Sequence, residues 1–190
     1  MAARQLYGGS IKQLSHAFKK FGWDVKFVDI DDVAGFESAI DDKTRVIFTE
    51  SLANPGGLVT DMAAIAKIAA KHGVPFMVDN TMASPYLCRP LEHGANIIVE
   101  SLTKFIGGHG NSIGGMIIDG GNFDWLAHKA RFPTMASPQS YYNDMVFGEA
   151  FAALPLGPDG SNVNIAFAIA ARAFSLRDLG PAMSPMNAFL

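Results

Sequence analysis

The sequence predicts an α/β fold, with a mostly parallel central sheet flanked by helices. Segments with strand character alternate along the chain with segments of helical periodicity. The strand-like segments are continuously apolar, which is typical of parallel strands that helices cover on both faces of the sheet. The chain has 190 residues, of which 49% are apolar, so it is long enough to bury one core of this kind.

The first part of the chain contains two predicted helices and two predicted strands. Ser10 is a candidate N-cap for a helix whose apolar residues recur at helical spacing until Gly22 ends it. A strand is predicted at residues 25–30, a short helix at 32–40 and a second strand at 44–50.

The middle of the chain continues this alternation. Asp61 is predicted to cap a helix over residues 62–72, and Gly73 is predicted to end that helix. Three further strands are predicted, at residues 75–80, 96–101 and 114–119. Strands that helices separate in this way favour a parallel sheet.

The last part of the chain is less regular. Residues 132–159 are rich in Pro, Ser, Gly and aromatic residues, and no element is predicted for them. A helix is predicted over residues 162–180, with Gly180-Pro181 as its stop, and another is predicted to begin in "SPMNAFL". The chain ends inside that apolar segment, which is unusual for a complete domain, so we expect it to be a fragment.

Composition excludes several classes of partner. The formal charge is −3 and the basic residues are dispersed, so neither nucleic acid nor an anionic membrane is an expected partner. No apolar run reaches the roughly 18 residues of a membrane span, and "MAARQLYGGS" contains no signal-peptide core. Charged residues make up 17% of the chain, below the roughly 25% of an average domain, which indicates apolar surface that a partner covers.

The single cysteine, Cys88, indicates a reducing compartment. One cysteine cannot form an internal disulfide, so a cytoplasmic location is predicted. Cys88 is predicted to be a small buried hydrophobe, with a reactive thiol as the alternative.

Polar residues follow three consecutive predicted strands at the point where each strand ends. Ligands of parallel sheets bind beyond the carboxyl ends of the strands. The sequence therefore predicts a binding site at this edge. Its candidate residues are Glu50, Ser51 and Asn54, then Asp79 and Asn80, and then Ser101 to Lys104.

Lys104 is the most informative of these residues. A lysine in a partly dehydrated pocket can attack a carbonyl carbon as a neutral amine. The hydroxyls of Ser101 and Thr103, with the backbone of the glycines at residues 107–110, could hold a phosphate beside it. This combination predicts a phosphate-bearing aldehyde, and pyridoxal phosphate is the common cofactor of that description.

Three other residues match further needs of that cofactor. Asp79 could keep the pyridine nitrogen protonated, Tyr7 could stack on the ring, and Asn54 could donate a hydrogen bond to the phenolic oxygen. The alternatives are a strand end or helix cap for Asp79, an ordinary turn aromatic for Tyr7, and a turn residue before Pro55 for Asn54.

Four segments together resemble the pyridoxal-phosphate enzymes of cysteine and methionine metabolism. They are "LYGGS", "ESLANP", "VDNTMASPYLCRPLEHGAN" and "ESLTKFIGGHG", in this order. The resemblance implies the large-domain core of a fold-type I transferase. It implies that Lys104 binds the cofactor covalently and moves protons, that Asp79 pairs with the pyridinium, and that Tyr7 stacks and acts in leaving-group departure.

The resemblance also implies the remaining site residues. Ser101 and Thr103 correspond to phosphate ligands, and Asn54 to the residue near the phenolic oxygen. Glu50 matches an acidic position near the site.

The segment "IIDGGNFDW" and the C-terminal 27 residues resemble the O-acetylhomoserine sulfhydrylase branch of this family. The implied reaction is γ-replacement, in which O-acetyl-L-homoserine and sulfide give L-homocysteine and acetate. The alternatives are a γ-lyase or a cystathionine synthase or lyase of the same family, and an inactive fragment. The substrate is then a small amino acid, and the full-length protein a homo-oligomer, a dimer of dimers.

Family members are roughly twice as long as this chain. The resemblance therefore implies that residues 1–180 are the pyridoxal-phosphate-binding core, incomplete at its N-terminus. Residues 181–190 would begin the connection to a C-terminal domain.

Other features favour structural interpretations. His109 has no second His or Cys at metal-ligand spacing. The glycines follow Lys104 rather than precede it, unlike those of a nucleotide-binding loop. Tyr141 and Tyr142 are predicted to lie in the core or in a subunit interface.

Overall fold

A seven-stranded sheet forms the centre of the protein. The computed structural model describes residues 1–152 and 164–169. In space the strands are ordered β2-β1-β3-β4-β5-β6-β7. They comprise β1 (Ala2–Ala3), β2 (Phe27–Val28), β3 (Ile47–Glu50), β4 (Phe76–Asp79), β5 (Ile97–Ser101), β6 (Gly115–Asp119) and β7 (Asn164–Ile169).

Most of the strand pairs are parallel. The strands from β2 to β5 in this spatial order pair in parallel, whereas β6 is antiparallel to both β5 and β7. The predicted mostly parallel α/β sheet is therefore confirmed. All five predicted strands are present, and each is shorter than predicted.

The first strand has no counterpart in the sequence prediction. β1 lies between β2 and β3, with Ala2 opposite both Phe27 and Phe48. Ala2 and Ala3 are fully buried. Two alanines have neither the β-branched character nor the length that identifies a strand in a sequence.

The last strand corrects a predicted helix. Residues 162–180 were expected to be helical, but Asn164–Ile169 pair with β6 as a strand. The sequence there alternates Ile165, Phe167 and Ile169 with alanines, and this period of two suits a strand. Residues 170–180, and the helix expected in "SPMNAFL", lie outside the described residues.

Six helices accompany the sheet within the described residues. They are α1 (Gly8–Lys12), α2 (Val33–Ala39), α3 (Met62–His72), α4 (Ser84–Leu87), α5 (Pro133–Ala136) and α6 (Phe147–Ala152). Single 3₁₀ turns lie at Pro90–His93 and Ser140–Tyr142. In the part of the chain that the structure describes, no helix has the length and apolar character needed to cross a membrane.

The predicted start of the first helix is wrong, whereas its end is confirmed. α1 continues through a π-helical turn, Gln13–Ala17, and a 3₁₀ turn, Phe18–Phe21, until Gly22 closes it in the left-handed conformation. The N-cap is Tyr7 rather than Ser10. Tyr7 is held by a tertiary hydrogen bond from its backbone N–H to Glu50, and this contact overrides the local capping signal of the serine.

The second long helix follows its sequence pattern. The Asp61 carboxylate accepts the N–H of Ala64 at 3.0 Å, and Gly73 ends the helix with φ of 60°. The face of α3 that contacts the sheet is buried. Its residues join Phe36, Phe76 and Val78 in the core, so the helices fix the sheet whose edge carries the polar residues.

Candidate active site

The carboxyl ends of three adjacent parallel strands meet at one cavity. Glu50 ends β3 and lies in register with Asp79, which ends β4 and lies in register with Val99 of β5. The cavity has a volume of about 570 Å³. All six predicted site residues line it, together with Glu50: Tyr7, Asn54, Asp79, Ser101, Thr103 and Lys104.

Two polar residues that were also predicted at this edge lie elsewhere. Ser51 and Asn80 are buried and do not line the cavity. Successive residues of a strand point to opposite faces, so each residue that follows Glu50 or Asp79 turns away from the site. On that opposite face, Asn80 Nδ2 donates to Glu100 Oε1 at 3.1 Å and ties the ends of β4 and β5 together.

Lys104 lies on a compact turn after β5. Its backbone N–H donates to the carbonyl of Ser101 at 3.2 Å, and its own carbonyl accepts the N–H of Gly108 at 2.8 Å. A Cβ at Gly107 would lie 2.4 Å from the backbone oxygen of Leu102, so only glycine fits there. The turn therefore fixes the backbone from which the lysine side chain reaches the cavity.

Asp79 keeps one carboxylate oxygen available. Its Oδ1 accepts the N–H of Thr81 at 2.9 Å, in the local turn that the strand-end interpretation predicted. Within the described residues, Oδ2 accepts no hydrogen bond, and Asp79 lines the cavity. A protonated ring nitrogen in the cavity can therefore bind this oxygen while the local turn is kept.

The two predicted phosphate ligands differ in their local bonding. Within residues 1–152, the Ser101 hydroxyl makes no hydrogen bond to protein and remains available to a ligand. The Thr103 hydroxyl accepts the N–H of Gly114 at 3.0 Å and donates to the carbonyl of Gly114 at 3.2 Å. Because a hydroxyl has one proton, Thr103 can donate to a phosphate only by releasing that carbonyl.

We expect Thr103→Val to lower the free energy of unfolding by about 1–3 kcal/mol, because both backbone groups of Gly114 lose their partner. Thr103→Ser keeps the hydroxyl and should stay within about 0.5 kcal/mol of the wild type. Urea denaturation of the three proteins measures both values. Equal midpoints for the valine and serine variants would show that the hydroxyl does not hold this loop.

Tyr7 and Asn54 lie on two different loops beside the cavity. Tyr7 precedes α1, and its side chain is partly exposed. Asn54 lies in the loop after β3, and its side-chain amide makes no hydrogen bond within the described residues. The Tyr7 ring can therefore stack on a ligand in the cavity, and the Asn54 side-chain amide can donate a hydrogen bond to that ligand.

Glu50 connects these two loops. Its Oε1 accepts the N–H of Tyr7 at 2.6 Å, and its Oε2 accepts the N–H of Asn54 at 2.8 Å. Burial raises the pKa of Glu50 to about 7, and the nearby Asp79 carboxylate adds to this effect, whereas the two N–H donors oppose it. The sequence predicts an acidic residue near the site, but it does not predict this bridging contact.

Thr81 and Met82 are cavity residues that no sequence pattern identified. The hydroxyl of Thr81 accepts the N–H of Ser101 at 2.8 Å and so joins the ends of β4 and β5. The available sequence signal for Thr81 was its position two residues after Asp79, because polar residues that follow a strand end lie at the edge of the sheet where the site was predicted.

The other sequence candidates lie outside the cavity lining. Cys88 packs against the core, and burial raises the pKa of its thiol, in agreement with the interpretation as a hydrophobe. Tyr141 and Tyr142 are 90% and 59% exposed, so the expectation that they lie in the core is wrong and the interface alternative remains. Within the described residues, no group of three His, Cys, Asp or Glu side chains could hold a metal ion.

Comparison with known proteins gives consistent matches. The family model described as Cys/Met metabolism PLP-dependent enzyme matches residues 1–190. An O-acetyl-L-homoserine sulfhydrylase from Leptospira meyeri is 49% identical over 190 residues, which are 100% of this chain and 42% of that protein. The chain thus spans about two fifths of the length of the curated relatives that it matches.

Two solved structures resemble the fold as well as the sequence. One, from Campylobacter jejuni, contains N′-pyridoxyl-lysine-5′-monophosphate; it is 35% identical with a TM-score of 0.75, covering 82% of this chain and 38% of that chain. The other is a cystathionine gamma-lyase from Lactobacillus plantarum, 39% identical with a TM-score of 0.59, covering 61% of this chain and 30% of that chain.

Proposed function

Because the chain belongs to the family of Cys/Met metabolism PLP-dependent enzymes, we propose that its cavity binds pyridoxal phosphate and serves a γ-replacement reaction. In that reaction O-acetyl-L-homoserine and sulfide give L-homocysteine and acetate. The observation that carries the proposal is the convergence of Lys104 and Asp79, from the ends of adjacent strands, on one cavity.

The residues present fit the cofactor. A cavity of about 570 Å³ lies within the range of small-molecule sites. Asp79 Oδ2 and the Ser101 hydroxyl have no hydrogen-bond partner within the described residues, and they suit a protonated pyridine nitrogen and a phosphate oxygen, respectively. When bound, pyridoxal phosphate withdraws electrons from the α-carbon of an amino acid and so makes its neighbouring protons removable.

The protein side chains supply attachment, orientation and proton transfer. The Lys104 amine would attach the cofactor. Once an amino acid takes its place, the free amine would accept the α proton, release it, and only then accept the β proton. The Asp79 carboxylate holds the proton on the ring nitrogen. In this proposal Tyr7 stacks on the ring, and its hydroxyl moves a proton as acetate departs.

Elimination is the second candidate. The similarity to a cystathionine gamma-lyase favours it, since a lyase releases the γ-substituent without adding sulfide. The two reactions differ in the fate of the carbon skeleton, because replacement retains the amino group and elimination yields a 2-oxo acid.

The test supplies the protein with pyridoxal phosphate and O-acetyl-L-homoserine, with and without sulfide, and in parallel with methionine or cystathionine alone. We expect homocysteine to form only with sulfide. Formation of 2-oxobutyrate without homocysteine would replace the sulfhydrylase proposal with the lyase. If borohydride fixes no pyridoxyl group on Lys104, the cofactor proposal itself is wrong.

We further propose a cytoplasmic homo-oligomer, a dimer of dimers, in which residues 1–180 contain the cofactor-binding core and residues 181–190 lead to a further domain. Large exposed apolar side chains support an interface, among them Tyr86 at 91%, Tyr141 at 90% and Leu87 at 75%. Tyr86 and Leu87 are neighbours in the chain, and a partner surface that covers them would remove this apolar area from water.

A further inference from the structure

Glu50 lies at the junction of the sheet and the two loops that carry Tyr7 and Asn54. We propose that Glu50 is a positioning residue that fixes Tyr7 and Asn54 relative to each other, by accepting one backbone N–H from each with its two carboxylate oxygens. This inference rests on the proposed function, because Tyr7 and Asn54 are the residues expected to contact the ring and its phenolic oxygen.

The geometry of the carboxylate supports this role. The Oε1–N distance to Tyr7 is 2.6 Å and the Oε2–N distance to Asn54 is 2.8 Å, and such short bonds are typical of a charged acceptor. Tyr7 is 43 positions from Glu50 in the sequence, so the first bond joins two distant parts of the chain. Each oxygen has its own donor, and one side chain thus sets the positions of two loops.

The backbone of Glu50 is itself fixed by the sheet. Glu50 is 3% exposed, it pairs in register with Asp79, and its carbonyl accepts the Thr60 hydroxyl at 2.5 Å. The loop after β3 is closed by an antiparallel bridge between Leu52 and Val59. The N–H of Asn54 itself, however, like that of Tyr7, bonds to the Glu50 carboxylate. The core therefore fixes the carboxylate. The carboxylate in turn fixes the backbone N–H groups of Tyr7 and Asn54 in the two loops.

Protonation of Glu50 would weaken this arrangement. A protonated carboxyl carries a hydrogen on one oxygen, and that oxygen becomes a poor acceptor for a backbone N–H. One of the two bonds must then weaken. Burial raises the pKa of Glu50 to about 7, so both forms are populated near neutral pH. The other titratable groups that line the same cavity are Asp79 from β4, Lys104 from the turn after β5, and Tyr7 itself.

The first test needs no cofactor. In the ¹⁵N-labelled chain, we expect the amide proton resonances of Tyr7 and Asn54 to titrate together with one midpoint near pH 7. Glu50→Gln should remove this titration, because the amide has no proton to exchange in this range. The amide of Ala64, which donates to Asp61 instead of Glu50, is the internal control, and its resonance should be the same in both proteins. Separate midpoints, or a titration that survives Glu50→Gln, would overturn the proposal.

The second test measures pyridoxal phosphate binding by absorbance titration. Glu50→Gln should weaken binding about tenfold or more, because one loop loses a hydrogen bond to a charged group. It should also flatten the dependence of binding on pH near neutrality, which a purely structural loss would not do. Glu92→Gln is the matched control, since this glutamate is exposed on the surface, and it should bind as the wild type does.

The outcomes separate this inference from the proposed function. If the wild type retains no cofactor on Lys104, the proposed function fails, and the amide titration still decides whether Glu50 holds both loops. If the amides titrate as expected but Glu50→Gln binds the cofactor as the wild type does with the same pH profile, Glu50 is only structural and the positioning role is wrong. If the Glu50→Gln variant does not fold, the titration of the wild-type amides still tests whether the Tyr7 and Asn54 loops share one titrating group.

Discussion

Lys104→Ala is expected to abolish covalent retention of pyridoxal phosphate. Within the described residues, Lys104 is the only lysine that lines the cavity, so its removal leaves no amine there to bond the aldehyde carbon. After reduction with borohydride, intact-mass analysis should show one pyridoxyl group on the wild-type protein and none on the variant. Loss of this proton-transferring amine should also lower the γ-replacement rate by at least about 10²-fold.

The matched control for this experiment is Lys67→Ala. Lys67 lies on the exposed side of α3, away from the cavity, and its loss should leave the retained mass unchanged. A Lys104→Ala protein that still carries a stoichiometric pyridoxyl group would show that another amine binds the aldehyde. Peptide mapping would then identify the correct lysine.

Asp79→Asn should have the second-largest effect, and its cause is electrostatic. Asparagine has nearly the same shape, and its Oδ1 can still accept the N–H of Thr81, so the turn after β4 is kept. The negative charge that holds a proton on the ring nitrogen is lost. A charge-assisted hydrogen bond contributes about 1.5–3 kcal/mol, so cofactor affinity should fall roughly ten- to hundredfold.

Asp42→Asn is a suitable comparison for this change. Asp42 is exposed and lies in the loop before β3, outside the cavity lining, so its neutralisation should leave cofactor affinity as it was. Absorbance titration with pyridoxal phosphate gives both dissociation constants. If the two variants bind the cofactor equally well, Asp79 does not pair with the ring nitrogen.

The sequence predicts the location of the site well because strand ends are visible in it. Asp79 and Lys104 each follow a continuously apolar segment, and parallel strands bring such ends to the same edge. Asn54 and Tyr7 reach the same cavity through loops, and the resemblance of short motifs placed them there. For these residues, local pattern and tertiary structure agree.

The features that the sequence does not predict depend on distant contacts. Ser10 carries a good capping side chain, but Glu50 fixes the chain at Tyr7 and the helix starts there. The bond from Thr103 to Gly114 also spans 11 positions, and it gives the hydroxyl of this predicted phosphate ligand a second role in closing the loop. Neither interaction leaves a periodic signal, since each depends on where two separate segments meet.

The closure of the Lys104 loop by Thr103 has a consequence for divergence among related proteins. The hydrogen bonds to Gly114 join the two ends of the loop at its base, and the turn bonds hold the backbone at Lys104 itself. Residues 109–113 lie beyond both constraints and are exposed. Apart from Gly110, whose φ of 66° favours glycine, this short stretch can therefore take up insertions and replacements without displacing the lysine. The rim of the cavity can acquire a new preference for small molecules while the chemistry beneath it is conserved.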